Sequence, residues 1–349
     1  MTVDQSRPAE PPIFVVGSPR SGTSLLRNAL RAHPRLTLPY ETHCFPSYYR
    51  QYGDPRSDRE AIRLAARILR THWVSRWELP LQPEAFADCR SFAAMVTRFY
   101  REWARREDKP RWGDKTPQYV TEIPTLRAIF PTAQFIHIIR DGRDAARSWV
   151  KHPEGSGNLY AAASEWKRMV RTGRAAGASL PPDRYLEVRY ETLLVEPQAT
   201  LRRVCRFLRE AFSEAMLQPH PLPEKYYPRL IGERRPLNPS WNRITPANAF
   251  KWKHNMSSAD RALFESVAGD LLEELGYEVD GKTRLIPRLE RMWWNAHNFS
   301  CRCTRVLNLR EKHVWLAPRA HLWWLERLQH LRSAEDIAEP ARPGSLPDH

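Results

Sequence analysis

Short uninterrupted apolar runs alternate along this chain with stretches whose apolar residues recur every three or four positions. Ile13-Phe14-Val15-Val16 lies between prolines and Gly17 and reads as a buried parallel strand. After Gly22, Leu25, Leu26, Ala29 and Leu30 follow helical spacing until Pro34. Leu36-Thr37-Leu38 suggests a second short strand, running out at Pro39-Tyr40-Glu41-Thr42-His43. Phe135-Ile136-His137-Ile138-Ile139 is the strongest strand signal and ends in Arg140-Asp141-Gly142-Arg143. Helices are predicted onward through Trp149 and over 157–177, and Tyr185–Tyr190 alternates as a further core strand. A helix over 197–210 follows it, and another near 258–275 stops at Gly276, a suitable C-cap. The proline-rich stretch 218–248 reads as a surface loop. Residues 54–108 predict two arginine-rich amphipathic helices, near 58–72 and 90–107, serving as an acceptor-binding cap or as helical padding. Arg111-Trp112-Gly113-Asp114-Lys115-Thr116-Pro117 reads as a polar turn before a helix at 119–130. Strands alternating with helices predict an α/β fold around a parallel sheet.

Composition narrows the class. The 349 residues are 42% hydrophobic, enough for one large core with or without an appended subdomain. We place a main domain over 1–281 and a basic, tryptophan-bearing extension over 282–349. The net charge of +15 comes mostly from arginine. It suits a polyanionic ligand, an acidic acceptor, a membrane surface or nucleic acid, and the total alone does not choose. In the extension, Lys282, Arg284, Arg288, Arg291, Arg302, Arg305, Arg310 and Lys312 stand among Trp293, Trp294, Trp315, Trp323 and Trp324. The plain expectation is tryptophans packed on the main domain with arginines in water. Peripheral membrane association comes next, and nucleic acid last because no recognised motif accompanies the charge. The five cysteines are irregularly spaced and predict unpaired thiols rather than a zinc site. Met1–Pro12 lacks the pattern of a signal peptide, and no apolar run approaches the roughly 20 residues of a membrane span. A soluble, cytoplasmic protein is expected, peripheral at the membrane if the extension binds it.

The candidate chemistry starts at Gly17-Ser18-Pro19-Arg20-Ser21-Gly22-Thr23-Ser24. Strand, glycine-bearing turn and helix are the context of a phosphate-binding P-loop, whose backbone N–H groups and helix N-terminus cradle an anion. A nucleoside-triphosphatase would carry lysine after the second glycine, where Thr23 stands, and a metal-binding aspartate at the end of a later strand, where Arg140 stands. The loop's own cation is Arg20. An anion held by arginine and backbone, with no metal required, follows from these residues. Arg140 and Ser148, eight residues apart, form a second anion site at a strand's C-terminal end, where open α/β sheets bind ligands. Arg143 and Arg147 read as a solvated helix face.

These blocks resemble the sulfotransferases that use 3′-phosphoadenosine-5′-phosphosulfate (PAPS), in separated segments between residues 13 and 277. By that resemblance the fold is a three-layer, P-loop NTPase-like α/β fold with a helical insertion and a helical C-terminal extension. Ser18, Pro19, Arg20, Ser21, Gly22, Thr23 and Ser24 resemble the 5′-phosphosulfate loop. Arg140 and Ser148 resemble the 3′-phosphate site, and Tyr190 the residue near the adenosine. The likeness is greatest to the tyrosylprotein sulfotransferases and related bacterial enzymes, through Pro19–Arg27, His33-Pro34 and Glu41-Thr42. It implies Glu41 as general base and Lys115 as catalytic lysine. Phe250-Lys251-Trp252 resembles a later Ser-Lys-Trp block, with Lys251 at the cofactor and Phe250 in place of the serine. The acceptor implied is a hydroxyl of a carbohydrate, lipid, small molecule or peptide. His43 is the alternative base, and His33 reads as structural. A deviant kinase using ATP–Mg²⁺ and a non-catalytic anion-binding or membrane-binding protein remain the competing readings.

Overall fold

A computed structural model describes residues 10–219, 244–281 and 283–311. Most of the loop expected at 218–248, and Trp315, Trp323 and Trp324, lie outside the described residues.

Five parallel strands form the sheet: β1 (Ile13–Val16), β2 (Leu36–Thr37), β3 (Arg111–Lys115), β4 (Gln134–Ile139) and β5 (Tyr185–Arg189), in the order β2-β3-β1-β4-β5. β1 is central, and its residues alternate between two cores. Phe14 and Val16 join one apolar cluster, Ile13 and Val15 the other. A continuous apolar run is what a strand covered on both faces requires.

Helices α1 (Thr23–Ala32), α9 (Tyr190–Val195) and α10 (Pro197–Leu208) contribute to the cluster on the Ile13 side. The Phe14 side is covered by the insertion: α2 (Phe45–Tyr52), α3 (Asp58–Arg70), α4 (His72–Ser75) and α5 (Phe92–Arg106), with α6 (Ile123–Ile129) after β3. Its buried Trp77, Phe86, Phe92, Phe99 and Trp103 belong to the same cluster as the sheet, so the insertion is part of the core. A third cluster joins α7 (Gly142–Val150), α8 (Leu159–Ala178), α11 (Trp252–Asn255) and α12 (Ser258–Glu274). Gly276 ends α12 with φ at 70°, as expected of a C-cap. Helix α13 (Arg288–Glu311) comes last. All five cysteines are free.

One segment departs from expectation. Arg111–Lys115 is not a turn but a fully buried strand between β2 and β1. Its polar side chains are held by partners from elsewhere, which is why alternation did not reveal it; Asp114 Oδ1 alone among them is buried without a partner among the described residues. Arg111 donates to Leu208 O at 2.6 Å, to Gln134 Oε1 at 2.6 Å and to Glu210 Oε1 at 3.0 Å. Trp112 stacks on Tyr100 with centroids 4.3 Å apart. At Gly113 an added Cβ would lie 2.7 Å from Ile13 O, so only glycine lets the two strands approach.

Candidate active site

The loop between β1 and α1 is tightly bounded. Gly22, the N-cap of α1, has φ at 93°, and an added Cβ there would meet Tyr190 Cδ2 at 2.2 Å. A Cβ at Gly17 would lie 2.5 Å from Ile138 O. The helix starts at Thr23, so its first N–H groups have no intrahelical acceptor and are available to an anion. Ser21 Oγ is buried without a hydrogen-bond partner among the described residues.

The residues expected to form a second anion site lie against this loop. Arg20 Nε donates to Ser148 Oγ at 2.9 Å, linking the loop to α7. Arg140 Nη1 donates to Arg20 O at 3.2 Å, and its guanidinium lies 4.6 Å from the Tyr190 ring centroid. Arg140 also pairs with Asp144 at 3.3 Å, while its Nε is buried and has no partner among the described residues. Tyr190 is thus both a core aromatic, in the Ile13-side cluster, and the wall of this site. Lys251 stands one partner away: its Nζ donates to Asn248 Oδ1 at 2.6 Å, and Asn248 O accepts from Arg140 Nη2 at 3.2 Å. Asn248 was missed by the sequence reading, because the proline-rich stretch around it has no periodicity to place it.

The third group lies on the other side of β1. Lys115, at the end of β3, pairs with Glu41 Oε1, and its Nζ lies 3.4 Å from Ser24 Oγ of the loop. Glu41 Oε2 is 2.7 Å from His43 Nε2. Lys115 is buried, whereas the Glu41 side chain keeps 22% of its surface exposed. Burial pulls the Lys115 pKa down, and the Glu41 carboxylate opposes that shift. Asp114, the residue before Lys115 in β3, is engaged elsewhere: its Oδ2 accepts from the hydroxyls of Tyr100 and Thr42, the latter at 3.0 Å. Burial raises the Asp114 pKa. Thr42 is held as well by Tyr119 Oη at 2.8 Å, so the residue after Glu41 is fixed in the core. His43 has φ at 55°, and its ring lies 4.4 Å from that of Trp73 in α4. A cleft lined by His43, Ser47, Arg50, Gln118, Tyr119 and Glu122 opens beside it. His33 is structural as expected: Nε2 donates to Ala211 O at 2.8 Å and Nδ1 accepts from the Arg35 N–H.

Arg143 corrects a further expectation. It is not on a solvated face; its side chain is fully buried, paired with Asp141 at 2.8 Å and with Glu265 at 2.9 Å. Spacing within α7 could not show this, because the burying partners come from α11 and α12, more than a hundred residues away.

With this geometry in view, the comparisons are specific. A family model described as "Sulfotransferase family" matches residues 11–214, a span that holds every candidate residue except Lys251. A putative protein-tyrosine sulfotransferase of Caenorhabditis briggsae is 30% identical over 215 residues, 60% of this chain and 69% of its own length. The protein-tyrosine sulfotransferase of Drosophila melanogaster is 26% identical over 59% of this chain, and the match spans 40% of that relative. Among solved structures, the sulfotransferase domain from the Synechococcus PCC 7002 olefin synthase aligns with a TM-score of 0.55 and 25% identity, covering 80% of this chain and 98% of that one.

Proposed function

The chain belongs to the sulfotransferase family, and from that membership we propose that it moves the sulfuryl group of PAPS onto an acceptor hydroxyl with Glu41 as general base. The observation that carries this reading is the shared carboxylate: Glu41 lies between Lys115 and His43, and Lys115 Nζ is 3.4 Å from Ser24 of the loop. Base, cation and anion cradle thus meet at the C-terminal end of β1 and β3.

The residues fit the co-substrate. Ser18 to Ser24 hold its 5′ side, where the buried Ser21 hydroxyl offers an uncommitted donor. Arg140 and Ser148 hold the 3′-phosphate, Arg20 bridges the two halves, and Arg140 Nε is the second uncommitted donor. Tyr190 borders the adenosine, and Lys251 approaches from the Asn248 side. PAPS, when bound, supplies the activated sulfuryl group.

The protein's own residues supply the rest. Glu41 keeps an exposed edge to take the proton of the acceptor hydroxyl, whose oxygen would replace the phosphate oxygen on sulfur, with adenosine 3′,5′-bisphosphate as the leaving group. That proton cancels the charge which held Lys115, so the buried ammonium becomes available to the loop side, where negative charge gathers on the transferring oxygens. His43 orients Glu41 through Oε2 and is itself held against Trp73. The acceptor enters through the cleft beside His43, whose hydroxyl, amide and paired Arg50–Glu122 groups suit a polar molecule. Phe250 stands where the resembling block has serine, which weakens the carry-over of protein tyrosine from the relatives and leaves carbohydrate, lipid, small-molecule and peptide hydroxyls as acceptors.

The test is a titration with adenosine 3′,5′-bisphosphate and with ATP–Mg²⁺, followed by transfer from radiolabelled PAPS to a panel of hydroxyl acceptors. Metal-independent bisphosphate binding and transfer abolished by Glu41→Gln are expected. Preference for ATP–Mg²⁺ overturns the reading, and full activity in Glu41→Gln moves the base to His43.

A further inference from the structure

Helix α13 meets the rest of the protein on one side only. Asn158 Nδ2 donates to Trp294 O at 2.8 Å, and the Gly157 N–H donates to Asn298 Oδ1 at 2.6 Å. Gly157 also packs under Cys301, whose Cβ an added Gly157 Cβ would meet at 2.7 Å. Positions 294, 298 and 301 share one helix face, and that face is the docked one. Leu289, Met292 and Phe299 fall on the opposite face, with Trp293 at its border. They are 79%, 67%, 71% and 57% exposed, and Leu285 just ahead of the helix is 88% exposed.

This amphipathicity is inverted. A helix packed on a globular protein ordinarily turns its apolar stripe inward and its charges outward. Here the docked side holds one large apolar residue, the half-buried Trp294, beside Asn298 and Cys301, and the longer apolar stripe faces away. Large apolar residues grouped in one exposed stripe mark an interaction surface. Arg288, Arg291 and Arg302 border the stripe along one edge. From 288 to 304 the single acid is Glu290, held by Arg284 at 2.5 Å and by Trp294 at 3.2 Å. No carboxylate in that span is left to balance the arginine edge.

We propose that this face of α13 docks on an anionic lipid surface. Leu289, Met292, Trp293 and Phe299 enter the boundary between headgroups and acyl chains, and the bordering arginines meet lipid phosphates. A second copy is the poorer occupant, because pairing through the same stripe sets two arginine borders together with no acid between them. No helix among the described residues is long and apolar enough to cross a bilayer, so attachment through α13 lies along the surface. The inference is independent of the catalytic reading.

Sedimentation of the full chain with vesicles of phosphatidylcholine, alone or mixed with phosphatidylserine, tests it. Binding to the mixed vesicles, weakened by salt, is expected. The variant Leu289→Ser/Met292→Ser/Phe299→Ser should lose roughly ten-fold or more in partitioning. Arg288→Gln/Arg302→Gln should lose on the order of ten-fold, only on the anionic vesicles. Bisphosphate affinity, unchanged in both variants, shows that the main fold survives. Equal partitioning of wild type and serine variant, or no binding of the wild type to either vesicle, overturns the proposal. A wild-type dimer that becomes a monomer in the serine variant overturns it too, by assigning the face to a second copy.

Discussion

Asp141, Arg143 and Glu265 at one end of β4, and Glu41, Lys115 and His43 beyond β3, are networks of the same chemistry in opposite states. In the first, all three side chains are fully buried and every strong direction is used. Asp141 accepts from the Arg143 N–H, Nε and Nη2, Glu265 accepts from Nη1, and the Trp252 ring lies 3.5 Å from the guanidinium carbon. In the second, a buried lysine faces a carboxylate with an exposed edge, and that carboxylate is divided between two partners. A closed network holds three elements in place and has no group left to react. An open one leaves a proton acceptor at the surface and a cation whose partner can be neutralised. Openness, more than the presence of paired charges, separates the proposed reactive site from the structural network.

The largest effect is expected on the closed side. Arg143→Ala leaves two buried carboxylates uncompensated and should cost about 3–5 kcal/mol of stability, read by urea unfolding. Whatever remains folded should keep the affinity for adenosine 3′,5′-bisphosphate. On the open side, Lys115→Ala should leave the unfolding midpoint much closer to wild type and lower kcat by about 10²–10³-fold. If Lys115→Ala instead unfolds the protein while Arg143→Ala abolishes turnover at full stability, the distinction is reversed. Because burial lowers the Lys115 pKa, the ammonium is lost at lower pH than an exposed lysine would lose it. The alkaline limb of kcat should move correspondingly and vanish in Lys115→Ala.

Arg140→Ala should weaken the bisphosphate by roughly 10–100-fold, the worth of a charge-assisted contact, with little change in affinity for adenosine 5′-phosphate. Equal losses for both nucleotides would remove the 3′-phosphate assignment.

His137 gives the most gradual effect, spread over several pH units, and a third state, half closed. Nδ1 meets Tyr185 Oη at 2.7 Å, while Nε2 is buried without a partner among the described residues. Burial, with a lesser contribution from Arg174, pulls its pKa down to about 3. Between the ordinary value of about 6.5 and that pKa, the unfolded chain binds a proton that the folded chain refuses. Stability should therefore fall as pH drops through this window, by about 1.4 kcal/mol per unit from this residue. Urea midpoints at several pH values should show the dependence, and His137→Gln should flatten it.

Much of the fold was legible because its signals are local. The apolar runs at β1 and β4 and the helical spacing after Gly22 report burial on both faces or on one. The strand, glycine loop and helix at 13–32 and the spacing of Arg140 and Ser148 were legible for the same reason, since each is a short span on consecutive elements. β3 was hidden because Arg111, Asp114 and Lys115 are polar residues in a buried strand, held by partners on α5, β4 and the segment after β2. Arg143 was hidden by the same cause, and Trp293 was expected against the main domain but faces outward.

The sequence by itself determined the class of fold, the strand–glycine loop–helix unit and the kinds of residue around it, because backbone geometry and periodicity act between near neighbours. Which charges are closed off, which carboxylate keeps an open edge and which side of α13 faces away were decided only by the tertiary structure. Those properties depend on desolvation and on partners supplied by distant segments, and no local spacing encodes them.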